Sequence, residues 1–181
     1  MSLSWLAILL GVGFGAPQIY GLLQPARAGA MARKFPRSEP WGYALMLLGT
    51  AWFLWNLMDE KISDFEAWKP YMILGFAGVG IGACVFVRDF LAVRGLSIVL
   101  LLLAKLMVDT ARWVDTDWRL VVVTWAYFLV VAGMWWTVSP WRLRDWIEWA
   151  TKSDARIRLL SGLRLAFCVL LIGLGLTVFR A

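Results

Sequence analysis

An all-α integral membrane protein, with about six transmembrane helices and one amphipathic helix along the membrane interface, is the fold class this sequence predicts. Three observations predict it. Of the 181 residues, 61% are hydrophobic and 17% charged, and the mean hydropathy is +0.71; soluble domains hold roughly 45–50% and about 25% of these classes. The apolar residues come in continuous rather than alternating runs, which selects helices over a β-barrel. The chain also carries 13 Trp and 16 Gly, and Trp concentrates at bilayer interfaces while Gly is tolerated in membrane helices. A soluble enzyme, a disordered tail and a disulfide scaffold are excluded.

Crossing about 30 Å of hydrocarbon takes roughly 20 helical residues. Six stretches reach or approach that length: 3–23, 41–58, 71–87, 92–111, 120–138 and 161–179. Together they make residues 1–181 a single polytopic domain. In the first, Gly11, Gly13 and Gly15 precede Ala16-Pro17. No strand comes before them, so they are no nucleotide-binding loop. Gly11 and Gly15, four apart, would instead let another helix approach closely. Pro17 is expected to bend this helix and free a carbonyl for Gln18 or a neighbour. Ala26-Arg27-Ala28 resembles a leader cleavage site, but Met1 to Trp5 holds no basic residue, so a span is expected rather than a leader.

Residues 24–40 read as a loop, and the second span follows, bounded by Trp41 and Trp55. The third is crowded with Gly75, Gly78, Gly80 and Gly82, and Gly78 with Gly82 is its expected packing pair. The fourth holds Arg94 near one end and Lys105, Asp109 and Arg112 near the other. Charge within hydrocarbon is costly and points to function by default. Lys105 lies about six residues, or roughly 9 Å, from the expected helix end. It is therefore expected to snorkel outward and pair with Asp109, with ion or substrate passage as the alternative.

After the fifth span, Ser139 and Pro140 give a start signal for a helix over 140–152. Leu143, Trp146, Ile147 and Ala150 recur there at helical spacing and form the apolar face of an interfacial helix. Arg142, Arg144 and Lys152, with Arg156 and Arg158 beyond, are the expected contacts to lipid headgroups. The sixth span ends the chain.

Orientation follows from Lys and Arg. Four lie in 24–40, two at the third-to-fourth turn (Arg88, Arg94) and six in 139–164, twelve on one side; Lys61, Lys69, Arg112, Arg119 and Arg180 make five on the other. The positive-inside rule then puts both termini on the outer side of a bacterial-type inner membrane. The net charge of +6 is chiefly a topology signal, and anionic lipid rather than nucleic acid is the expected counterpart.

The chain has no His, which removes the usual general base and the commonest zinc and haem ligand. Cys84 and Cys168 fall in apolar runs, where a thiol behaves as a small hydrophobe. Asp59-Glu60 and Asp115-x-Asp117 are adjacent acids on short loops, a pattern usually solvated. No catalytic set, metal site or cofactor is read from these residues. The expected function is that of a non-catalytic structural or interaction subunit of a larger inner-membrane assembly, bound to a membrane-protein partner or a second copy of itself. A component of a small-molecule or ion transporter or channel is the alternative, and a lipid-modifying transferase built on carboxylates and arginines is the residual enzyme reading.

Overall fold

The computed structural model describes residues 2–60 and 63–180. Lys61, which entered the charge count, and the terminal Ala181 lie outside the described residues. Among those described there is no strand, and the helices are α1 Leu3–Leu23, α2 Pro25–Lys34, α3 Glu39–Asp59, α4 Lys69–Phe86, α5 Leu91–Ala111, α6 Arg119–Val138, α7 Trp141–Ala150 and α8 Asp154–Leu176. Short 3-10 turns occupy Phe35–Arg37, Ser63–Trp68 and Val178–Arg180.

The helix boundaries follow local chemistry. The Ser2 hydroxyl caps α1 by accepting from the Trp5 amide, one of the donors a helix start leaves without a partner. α8 begins at Asp154 rather than near 161, because Ser153 caps it in the same way from Arg156. Its first turns are charged, so hydropathy alone places the start too late. Residues 25–34 are helix and not loop: Pro25 suits the first helical position, and Ala, Arg, Met and Lys are strong helix formers. α1 continues through Pro17, and the Gln18 side-chain amide donates to the Phe14 carbonyl at 3.3 Å rather than to Gly13, the carbonyl that Pro17 leaves without its usual donor.

Among the described residues, five helices are long and apolar enough to cross a membrane: α1, α4 extended back to Glu66, α5, α6 and α8 extended to Arg180. The sixth expected span, in α3, is equally long at 21 residues. Its apolar run is diluted by Trp41, Tyr43, Thr50, Trp52, Trp55 and Asn56.

The chain divides into two compact units. The first comprises residues 2–34, 103–130 and 144–180, and is organised by α1 and α8. They pack antiparallel along their whole length. The buried Ser4 hydroxyl donates to the Gly175 carbonyl at 2.7 Å, Gly11 and Gly15 meet Cys168, and Gly21 meets Ser161. Small residues on both helices allow this approach.

The second unit comprises residues 35–102 and 131–143. Here α3 runs parallel to α5: Gly42 lies against Leu91, Gly95 against Met46, and Gly49 against Ile98. A methyl group on Gly95 would lie 2.6 Å from the Met46 amide nitrogen, so only glycine permits that approach. α4 packs antiparallel to α3, with Phe53 edge-to-face on Phe76 at 4.9 Å. Met46, Cys84 and Leu91 form the core, with Tyr43, Ala83 and Ile98 around it. Between α4 and α5, Phe90 adopts φ 55°, a left-handed conformation that is an outlier for a bulky side chain. Burial of its ring, beneath the Arg37 guanidinium at 5.6 Å, holds it there. Its carbonyl accepts from the amides of Val93 and Arg94 and so starts α5.

Candidate functional site

The charged series on α5 forms a surface pair. Lys105 Nζ lies 2.8 Å from Asp109 Oδ2, and the two side chains are 45% and 52% exposed. Arg112 lends its backbone carbonyl to Arg119 Nη1 at 3.3 Å. Neither Lys105 nor Asp109 lines any cavity described below.

α7 is amphipathic as its periodicity predicts, but its apolar face is turned into the protein. Leu143, Ile147 and Ala150 are buried within the chain, whereas Trp146 stays 42% exposed. Of the four residues expected on its apolar face, three are thus buried by protein and Trp146 is left partly open. At the C-terminal end of α7, Gly29 on α2 approaches Thr151 and Ile157, and Arg33 reaches the Thr151 carbonyl, so protein covers that end.

The basic residues around α7 divide into engaged and free-facing groups. Arg144 forms two hydrogen bonds to Asp145, at 2.8 and 3.1 Å, and approaches Glu148 at 3.9 Å. The Asp145 bond and charge hold this guanidinium above its usual pKa. Arg156 donates to the Trp149 carbonyl at 2.8 Å and stacks over that indole at 4.8 Å. Arg164 stacks over Trp146, also at 4.8 Å. Arg142, Lys152 and Arg158 are exposed.

The glycine pairs also separate. A methyl on Gly11 would come within 2.8 Å of the Cys168 carbonyl oxygen, and one on Gly15 within 3.2 Å of Cys168 Cβ. Gly78 faces open space, and Gly82 meets only Phe86 of its own helix, at 4.0 Å. The α4 glycine that packs inside the chain is Gly80, buried against Thr50 of α3, because that face and not its neighbour is turned toward α3.

Each unit contains a cavity with an arginine in its lining. In the first, about 530 Å³ is enclosed by Phe14, Gln18, Trp125, Trp146, Arg164 and Phe167 among others. Trp125 sits edge-on between Phe14 at 5.1 Å and Phe167 at 5.3 Å. In the second, a groove of about 350 Å³ runs between α3, α4 and α5 to the end of α6, lined chiefly by apolar side chains with Arg94. The two arginines differ. Arg164 is engaged by Trp146, while Arg94 Nε is buried with no hydrogen-bond partner among the described residues.

Neither arginine cavity was legible in the sequence. Arg94 reads as a residue able to reach the interface, and the pairing of Arg164 with Trp146 joins two helices at a spacing no motif specifies. Among the described residues, no three His, Cys, Asp or Glu side chains gather in a metal-ligand arrangement. No protein-family model, curated protein or solved structure matches the chain.

Proposed function

We propose that this chain is a six-span protein of a bacterial-type inner membrane that serves as a non-catalytic structural or interaction subunit of a larger membrane assembly. The observation that carries the subunit reading is the outer face of α4. Only 11% of its apolar stretch is buried, against 50% in α5, and Leu74 and Phe86 are 73% and 86% exposed. On the same helix Gly75, Gly78 and Gly82 meet no neighbouring helix, and their i, i+3, i+7 spacing places them on one face. Lipid would cover apolar side chains equally well, but a glycine face gains from backbone contact with another helix. The corresponding face of α1 is filled by α8, whereas no described residue fills that of α4.

Two features support six crossings. The Ser4–Gly175 bond holds the start of α1 beside the end of α8, which supports an even number of spans. α3, parallel to the strongly apolar α5 and as long, supplies the sixth. Exposed Trp41, Trp55, Trp113, Trp118 and Trp135 near helix ends suit the headgroup level. The Lys and Arg asymmetry supports termini on the outer side, and exposed Arg142, Lys152 and Arg158 suit anionic lipid. Transport has less support, because Lys105 and Asp109 pair on the surface.

Purification from native membranes in mild detergent tests the subunit reading. A stoichiometric protein partner, or a dimer, is expected, and Gly78→Leu should strip it without unfolding the chain. A lone monomer that carries flux in liposomes would replace this reading with transport. For orientation, a Cys placed at Ser38 should resist an impermeant thiol reagent added outside; labelling from outside overturns it.

A further inference from the structure

The groove of the second unit joins an apolar slot to Arg94, whose Nε has no hydrogen-bond partner among the described residues. Thr50 and Thr137, the two hydroxyls in its lining, already donate to the carbonyls of Met46 and Gly133, each at 2.8 Å. That leaves Arg94, which lines the groove and whose buried Nε finds no acceptor among the described residues, as the charged residue of the lining. A buried donor without an acceptor is costly, and a guanidinium fork is matched by phosphate or carboxylate.

The shape narrows the choice. Along α4 the lining runs from Phe76 to Val87, which spans about 16 Å of helix, roughly half of the 30 Å hydrocarbon core. The Phe53–Phe76 pair closes the end away from Arg94. On the flank, Val79 is 69% exposed, so the slot opens sideways, as entry from a bilayer requires. Its depth is that of one leaflet, with the cation at the headgroup end. We infer that the groove holds one acyl chain of an anionic phospholipid, whose phosphate accepts hydrogen bonds from the Arg94 guanidinium. The inference rests on the membrane reading above. In the first unit the comparable arginine is already stacked on Trp146, which makes the second unit the lipid site.

The test uses the full-length chain in nanodiscs containing phosphatidylglycerol, phosphatidylcholine and oleate with matched acyl chains, read by native mass spectrometry of retained lipid. The wild type should keep one phosphatidylglycerol, and Arg94→Gln should reduce that retention about tenfold, as loss of a charge-assisted hydrogen bond predicts. Arg180→Gln, exposed and in the first unit, should leave it unchanged. Val79→Trp, at an exposed position that cannot unfold the core, should expel the lipid by filling the slot, whatever becomes of Arg94→Gln. Equal retention in the wild type and Val79→Trp, or equal retention in the wild type and a folded Arg94→Gln, overturns the inference. So does preferential retention of oleate or phosphatidylcholine. Alkaline carbonate extraction of native membranes separates the two levels: a resistant chain without lipid preference sinks only the groove, and an extracted chain sinks the membrane reading.

Discussion

α1 of the first unit and α4 of the second use the same glycine spacing to opposite ends. In the first, Gly11 and Gly15 are pressed against Cys168, Ser4 is bonded across the helix pair, and Arg156 and Arg164 are each stacked on an indole. In the second, Gly75, Gly78 and Gly82 look outward and Arg94 Nε has no acceptor among the described residues. Gly11/Gly15 and Gly78/Gly82 share the same i, i+4 spacing. What separates them is the partner: α8 presents Ser161, Cys168 and Gly175 at matching heights, and α4 turns only Gly80 toward α3. A small-residue motif thus states that a helix can be approached closely, while the opposing surface decides whether it is.

The strongest way to break this comparison is to enlarge one glycine from each pair. Gly11→Leu must displace Ile172 and the Cys168 backbone, and overpacking of that kind typically costs about 1–3 kcal/mol and occasionally more; we expect about 3 kcal/mol. Gly78→Leu should stay within about 0.5 kcal/mol, the usual range for a surface change. Thermal unfolding in detergent measures both, and similar losses would erase the distinction between the units.

Removing the two arginines sharpens it. In delipidated protein Arg94→Met should stabilise, by up to about 1–3 kcal/mol, because it removes a buried donor without a partner. Arg164→Met should destabilise by about 0.5–2 kcal/mol through loss of the stack on Trp146. The opposite signs are the expected result, read as melting temperatures of the two variants beside the wild type.

Much of this architecture was legible from hydropathy. α1 spans 3–23 as predicted, and α3 to α6 lie within two residues of their expected limits. The misses share a cause, which is that an apolar window cannot see polar helix. α2 and the first turns of α8 are basic and amphipathic, and their caps and helix propensity had to outweigh their charge. For α7, periodicity identifies an apolar face but does not say what will cover it, and burial of Leu143, Ile147 and Ala150 by protein is tertiary information. The Lys105–Asp109 pair needed only i, i+4 geometry. The Arg164–Trp146 stack and the Arg94 groove depend on which helices meet, which is tertiary information.

The smallest expected effect belongs to that surface pair. Exposed ion pairs contribute about 0.2–1 kcal/mol, so Lys105→Met should leave stability unchanged or slightly higher, and Asp109→Asn should lower it by less than about 1 kcal/mol. Full stability of Lys105→Met combined with loss of a flux assayed in liposomes would move this pair from structure to transport.

The central claim is that the Gly11/Gly15 face of α1 is filled within the chain, by α8, and that the Gly78/Gly82 face of α4 is kept for another protein. A photo-crosslinking side chain placed at Gly78 on α4, and separately at exposed Val169 on α8, tests it in native membranes. The account predicts a discrete protein adduct from Gly78, either a single partner or a second copy of the chain, and only lipid adducts from Val169. Lipid adducts alone from both positions would contradict it.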